Sequence, residues 1–353
     1  MKTKNIIGFL FFLVLTGTTI SVFGKEVEKK VEGEEKFNAS TFILEHVSDS
    51  HEWHILTKKN GGSVALYLPV ILYSKEKGLD FFFSKKLAHG HTYKGYRLEE
   101  EGELQGKIVS INEEGQVDEE NLPLDFSITK TVFGMLFSAI IGLILFLSLA
   151  RSYSKAGISH PKGIRSFLEP IVLFVRDDIA IPNLGSHKYE KFMPYLLTVF
   201  FFILINNLMG LVPFPPPFGA NVTGNIAVTM TLAVCTFLVI QFNGSKTYWK
   251  HIYATPGVPF WLSPIMIPVE LIGMLAKPFA LMVRLFANIT GGHIIILSLV
   301  SLIFIFDSLV IAPVSILFVI FMDCLELLVA FLQAYVFTLL SALFIGLATE
   351  EHH

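Results

Sequence analysis

Two unbroken apolar runs of about 40 residues each, near 261–306 and 309–348, constrain the fold of this 353-residue chain more than any other feature. A helix needs about 20 apolar residues to cross a ~30 Å hydrocarbon core, whereas 40 residues in one helix reach roughly 60 Å. Each run therefore either folds back as a hairpin or forms one steeply tilted helix lying partly along the membrane plane. Gly291-Gly292 offers the first run a kink. No charged turn breaks its centre, however, so the tilted pair is the expected arrangement. Three shorter runs, at about 129–150, 192–212 and 225–243, bring the crossings to five. Composition points the same way. A chain that is 52% hydrophobic, with mean hydropathy +0.60, lies outside the soluble globular range.

Charge divides the chain in two. Residues 25–125 carry 20 acidic and 13 basic side chains, a net of −7, while residues 126–353 carry 10 and 12. A polar domain at 25–125 is thus expected ahead of a membrane domain at 126–353. Residues 1–24 open with Lys2 and Lys4, continue apolar from Ile6 to Leu15 and close on small residues. That pattern is a secretory signal, cleaved near Gly24 or retained as an anchor helix. Seven basic residues lie between 151 and 191, and Lys246 and Lys250 lie in the next connection on that side. The opposite loops, VPFPPPFGANVTG and FDSLVIAP, hold none. By the positive-inside rule the basic connections and the C-terminus are cytoplasmic, and the N-terminal domain is exported. The segment SFLEPIVLFVRDDI is too short and too charged to span, and reads as an interfacial amphipathic helix. Cys235 and Cys324 lie in apolar runs and are expected as free thiols.

In the exported part, SVALYLPVILYS and GLDFFFSKKL read as strands. The charged flanks, among them LEEEGELQGKIVSINEEGQVDEEN, read as solvated. His46, Asp49, His51 and His54, with His89 and His91 further on, admit a metal site, but their spacing fits no recognised pattern and surface histidines are common. The expected fold is an all-α polytopic membrane protein. It has five crossing helices, the last two long and tilted, an interfacial helix and a small β-rich exported domain.

Ionisable residues inside the long runs carry the functional argument. Glu270, Lys277 and Arg284 recur every seven residues and share one helix face, drifting by about 20° per step. Asn288 is one turn beyond Arg284, and His293 faces nearly the opposite way. In the last run Asp323, Glu326 and Gln333 share a face. These residues either form ion pairs that glue helices together, Glu270 with Lys277 and Arg284 with Glu326, or they line an ion path. Intramembrane charge favours the second reading.

The stretch PVELIGMLAKPFALMVRLFANITGGH resembles the signature helix of subunit a, the membrane stator of F-type ATP synthases. LELLVAFLQAYVFTLLSALFIGLATEEHH is similar to that family's last helix, and MPYLLTVFFFILINNLMGLVPF and GNIAVTMTLAV to its earlier spans. The resemblance covers about residues 125–353. It implies that Arg284 faces a rotating ring of c subunits, each carrying a buried carboxylate. Asn288 and Gln333 would then position the guanidinium and its waters. His293 and Glu326 match two half-channel positions that exchange a carboxylate and a histidine among relatives, which implies that the two are neighbours. Glu270 matches an outlet carboxylate and Asn225 an inlet position, with Lys277 and Asp323 as supporting polar groups. The implied partners are the c-ring, the peripheral stalk b subunits and the lipid bilayer. Neither nucleic acid nor a cofactor is expected. No G-x-x-x-x-G-K-[ST] loop is present, so nucleotide chemistry belongs to other chains. An H-E-x-x-H protease motif is absent. The internal repeats usual in secondary transporters are also missing.

Overall fold

The computed structural model describes residues 38–350, apart from 58–62, 100–101, 103, 113–114, 120, 157–162, 213–215, 217, 254–261 and 307–309. The signal segment at 1–24 and the end of the tail, 351–353, lie outside the described residues.

Among the described residues, the N-terminal part shows a helix that the sequence reading did not anticipate, α1 (Ala39–Val47), followed by three small antiparallel sheets. Strand β1 (Glu52–Thr57) pairs with β2 (Ser63–Tyr67). Strand β3 (Pro69–Ser74) lies between β4 (Gly78–Phe83) and β7 (Leu124–Asp125). Strand β5 (Tyr96–Leu98) pairs with β6 (Ile108–Ser110). The two expected strand segments are present, as β2–β3 and β4. The β3–β4 turn closes because Gly78 takes φ +74°, the left-handed conformation that a short hairpin loop needs and that glycine adopts without strain. Alternation then sorts the side chains by face. Val70, Leu72 and Phe82 join Leu87, Tyr96 and Ile108 in a small core. The flank expected to be solvated holds β6, with Ile108 and Val109 buried. Its two apolar residues are enough to pair and pack once β5 lies alongside.

Among the described residues, five helices are long and apolar enough to cross a membrane: α2 (Lys130–Ala156), α5 (Tyr189–Leu211), α6 (Ile226–Asn243), α8 (Ser263–Phe306) and α9 (Ala312–Thr349). Between α2 and α5 run α3 (Ile164–Phe174), a π-helical stretch at Val175–Ala180 and the one-turn α4 (Ile181–Leu184). This segment buries Leu168, Val175 and Ile179, and the Arg165 guanidinium lies 4.0 Å from the Tyr153 ring centre. A short α7 (Lys246–Tyr253) joins α6 to α8.

Each long apolar run forms one continuous helix, 44 residues in α8 and 38 in α9. Gly291 and Gly292 continue the helix without breaking it. The hairpin alternative is thereby excluded. The two helices run antiparallel in one steady register. Lys277 lies over Phe344, Asn288 meets Gln333, Gly292 meets Glu326, and Ser315 donates to the Leu299 carbonyl. Helix α5 packs along α9 and α6 touches both members of the pair, and Phe200, Ile203, Leu281, Leu285, Phe337 and Ile345 fill the core. At the far end of α9, Lys188 donates to the Thr349 carbonyl at 2.6 Å and the Ser245 amide to the Ala348 carbonyl at 2.8 Å. Both satisfy acceptors that a helix C-terminus leaves unpaired.

The N-terminal part is fastened directly to the helices. The Lys130 ammonium, at the start of α2, is buried against the carbonyls of His46 and Ser48, at 3.3 and 3.1 Å. Asp49 accepts from the Thr131 amide at 3.0 Å and caps α2 from a distant part of the chain. Trp53 packs with Ala220, Val222 and Phe133, and α1 lies against α8.

Candidate functional site

The polar residues of α8 emerge on two opposite faces. Arg284 sits at the middle of this 44-residue helix, about 32 Å from either end at ~1.5 Å per residue. Its side chain is exposed, like those of Lys277 and Asn288. Among the described residues, no ion pair or hydrogen bond holds its guanidinium. Its neighbours one turn away, Ala280 and Ala287, are too short to cover it. A permanent cation is therefore presented outward from an apolar helix, at a depth where exposing charge to lipid costs about 2.5–3.5 kcal/mol or more.

Behind it, His293 faces inward. Its Nδ1 lies 2.6 Å from Oε1 of Glu326. The contact brings an imidazole nitrogen and a carboxylate oxygen together inside the helix bundle. Gly292 makes room for it, since a Cβ there would sit 3.0 Å from the Glu326 carboxylate. The Gly210 backbone borders the other side of the imidazole, and a Cβ at that position would lie 3.7 Å from Nε2. Asp323, Glu326 and Gln333 all fall on the buried face of α9. The Asn288 amide donates to Gln333 Oε1 at 2.9 Å. Gln333 Nε2 is buried with no hydrogen-bond partner among the described residues, a donor left for water or for a group on another chain.

Amides and hydroxyls that the sequence reading had not singled out extend this polar region. Thr223 donates to Asn207 Oδ1 at 2.6 Å, and Asn207 donates to the Ala330 carbonyl at 3.2 Å. Thr290 donates to the Gly224 carbonyl. Asn206 and Asn221 are buried, each with one side-chain polar atom unpartnered among the described residues. Asn225 caps α6 by accepting from the Ala227 amide at 2.9 Å, and so stands at the edge of this cluster. The signal that could have found them is the doublet Asn206-Asn207 inside an apolar span, where polar groups are costly and mark function. Gly292 left no signal, because its role depends on which side chain faces it across α9.

Glu270 is half-buried near the start of α8, 3.9 Å from His251 Nδ1 on α7. Burial pushes the Tyr248 hydroxyl above its ordinary pKa, the Gln241 hydrogen bond opposes this, and the nearby Glu270 charge adds to the rise. Lys277 lies 5.5 Å from the Phe344 ring centre. Among the described residues, neither Glu270–Lys277 nor Arg284–Glu326 forms an ion pair, so the glue reading loses both of its bridges.

Three of the candidate metal ligands in the N-terminal part, His46, Asp49 and His51, are engaged elsewhere. His46 Nδ1 bonds its own helix at the Phe42 carbonyl, 2.8 Å away. Asp49 caps α2. His51 Nε2 meets Asp125 Oδ2 at 2.8 Å. Among the described residues, no three His, Cys, Asp or Glu side chains gather as a metal site would require.

Fold and site together define a polytopic helical membrane protein whose longest helix carries an exposed cation on one face and a buried acid–base pair on the other. Comparison with known proteins narrows the class. Residues 132–346 match the family model described as ATP synthase A chain, and the chain belongs to that family. Over 234 residues it is 52% identical to "ATP synthase subunit a 2" of Chlorobaculum tepidum, an alignment covering 64% of each chain. It is 50% identical to "ATP synthase subunit a" of Chloroherpeton thalassium, over 65% of this chain and 69% of the relative. Against the protein of the same description from Myxococcus xanthus it is 47% identical, over 65% and 75%. The chain thus spans just under two thirds of the Chlorobaculum tepidum relative. Residues 42–126 match a separate domain of unknown function, DUF8433.

Proposed function

We propose that this chain is the ion-translocating stator subunit of a rotary ATP synthase, with two half-channels that carry protons to and from carboxylates on a c-ring. The observation that carries the reading is the back-to-back arrangement on α8, with Arg284 exposed and, among the described residues, unpaired on one face and His293–Glu326 buried 2.6 Å apart on the other. A proton enters from the exported side past Asn225 and the Asn207–Thr223 pair, and passes through His293 and Glu326 to a ring carboxylate. The neutral carboxylate turns through lipid. On its return it meets the cytoplasmic half-channel, releases the proton near Glu270 and is held ionised by Arg284. A guanidinium suits this barrier because it keeps its charge at any physiological pH and cannot relay a proton itself. Asn288 and Gln333 orient the guanidinium and its water, while Lys277 and Asp323 support the two faces.

In this reading the chain holds no catalytic site. Its partners are the c-ring and the peripheral stalk b subunits, and nucleotides bind elsewhere. The membrane is a bacterial inner membrane, with the N-terminal domain periplasmic, the 151–191 and 244–260 connections cytoplasmic, and α3 lying at the cytoplasmic interface. Each proton crossing is worth ~2.3 kcal/mol per 100 mV, so several crossings drive each ATP. The test is ATP-driven acidification of inverted membrane vesicles with Arg284→Ala at matched assembly. Acidification is expected to vanish while the detached head still hydrolyses ATP. Unchanged acidification would make Arg284 structural and defeat the proposal.

A further inference from the structure

The β4–β3–β7 sheet has one face in the small core, and among the described residues nothing covers the other. On that open face Leu79 is 70% exposed, Phe126, which follows β7, 63%, and Phe81, Leu124, Phe83 and Tyr73 between 45% and 59%. The register makes this a single surface, because Tyr73 stands opposite both Leu79 and Leu124, and Ile71 stands opposite Phe81. So large a contiguous apolar patch is unusual on a water-facing domain and marks an interaction surface.

Two features identify what covers it. Phe126 lies four residues before Lys130, the first residue of α2, so at most about 14 Å of extended chain separates it from the spanning helix. From Leu136 to Leu147 the exposed large side chains of α2 (Leu136, Ile140, Leu143, Ile144 and Leu147) are apolar, as a lipid-facing stripe must be. Only this short connection and the first turn of α2 separate the sheet face from that stripe. At the rim of the face Lys75 and Lys85 are exposed, with Glu76 beside Lys75, whereas Lys77 and Lys86 turn their ammonium groups to Tyr96 and Tyr93 on the core side. Aromatic and aliphatic groups bordered by lysines suit a bilayer interface with acidic headgroups, where the rings enter the acyl boundary and the ammonium groups stay among phosphates.

We infer that the open face of the β4–β3–β7 sheet rests on the bilayer surface beside α2, making the N-terminal domain a lipid-anchored element rather than one held clear in water. The inference stands on the membrane placement of the helices and is independent of the proposed ion path. A nitroxide on Phe81→Cys, in the assembled synthase with other reactive cysteines removed, tests it in vesicles of phosphatidylethanolamine and phosphatidylglycerol. A label on Lys85→Cys provides the rim reference. The expected result is that collisions with oxygen, which partitions into lipid, exceed collisions with a water-soluble nickel chelate severalfold at Phe81, with the reverse at Lys85. Phe126→Cys is the second site and should repeat the Phe81 result. Nickel-dominated collisions at both apolar sites would place the face in water and overturn the inference. Protection from both reagents would mean a protein cover, from another subunit or from this chain's own N-terminal segment, and would overturn it equally.

Discussion

At the scale of single residues, the His293–Glu326 pair concentrates the acid–base chemistry, and its geometry rests on a glycine. A Cβ at position 292 would sit 3.0 Å from the Glu326 carboxylate, tighter than ordinary packing, so Gly292→Ala must push that carboxylate aside. Misplacing a reacting group by about 1 Å can cost up to ~100-fold. We expect pumping to fall on the order of tenfold in Gly292→Ala with assembly retained, measured as acidification per assembled complex. Exchange of the pair gives a sharper check. His293→Glu alone sets two carboxylates against each other and should abolish pumping, whereas His293→Glu with Glu326→His restores one acid and one base and should recover much of it. A double variant no better than the single would show that the two residues do not act as a unit. In the N-terminal domain, burial alone would raise the Asp125 pKa, but hydrogen bonds from His51 and Ser127 outweigh it and hold the carboxyl below its ordinary 3.8. Its stabilising contribution is therefore present above pH ~3.8 and is lost as pH falls through the lower folded value. His51→Gln should move acid unfolding of the β3–β7 pairing to higher pH, read by amide exchange in those strands as pH is lowered. An unchanged midpoint would remove His51 from the account.

At the scale of elements, cost explains what the sequence disclosed. Five spans were legible because apolar length is a direct statement about the bilayer, and the seven-residue spacing placed Lys277 and Arg284 together on the exposed face of α8. The back-facing His293 was legible for the same reason, nine residues being two and a half turns. Helix α1 was not, because ASTFILEHV is short and its ordering rests on α8, more than 200 residues away. Strand β6 was hidden for a similar reason, as two apolar residues inside an acidic stretch declare nothing until a partner strand covers them. The start of α2 shows the same non-local logic. Its cap is Asp49, some 80 residues upstream. Loss of an N-cap carboxylate costs about 1 kcal/mol, so Asp49→Ala should speed amide exchange over the first turn of α2 and leave the centre of the helix unaffected. Equal protection in both proteins would show that the cap contributes nothing.

At the scale of the whole molecule, three attachments make the N-terminal domain part of the membrane machinery. The 46–50 segment holds the first turn of α2, α1 lies on α8, and Trp53 packs on Ala220 and Val222. The last of these bears most directly on the proposed inlet, because Asn221, Thr223 and Asn225 are interleaved with the residues that Trp53 covers. Truncating a buried tryptophan costs about 3–5 kcal/mol of local packing, and here that loss would fall on the loop carrying the inlet amides. Trp53→Ala is therefore expected to lower acidification per assembled complex, while Trp53→Phe, which keeps an aromatic wedge, retains most of it. Deleting residues 25–125 removes all three attachments at once and should lower pumping further than Trp53→Ala. A deletion that preserves both assembly and acidification would show that the inlet holds its shape without the domain, and the attachments would then serve only to moor it. Reduced assembly, with normal acidification in the complexes that do form, would place the domain's role in building the stator. Normal assembly with weak acidification would place it in shaping the path along which ions enter.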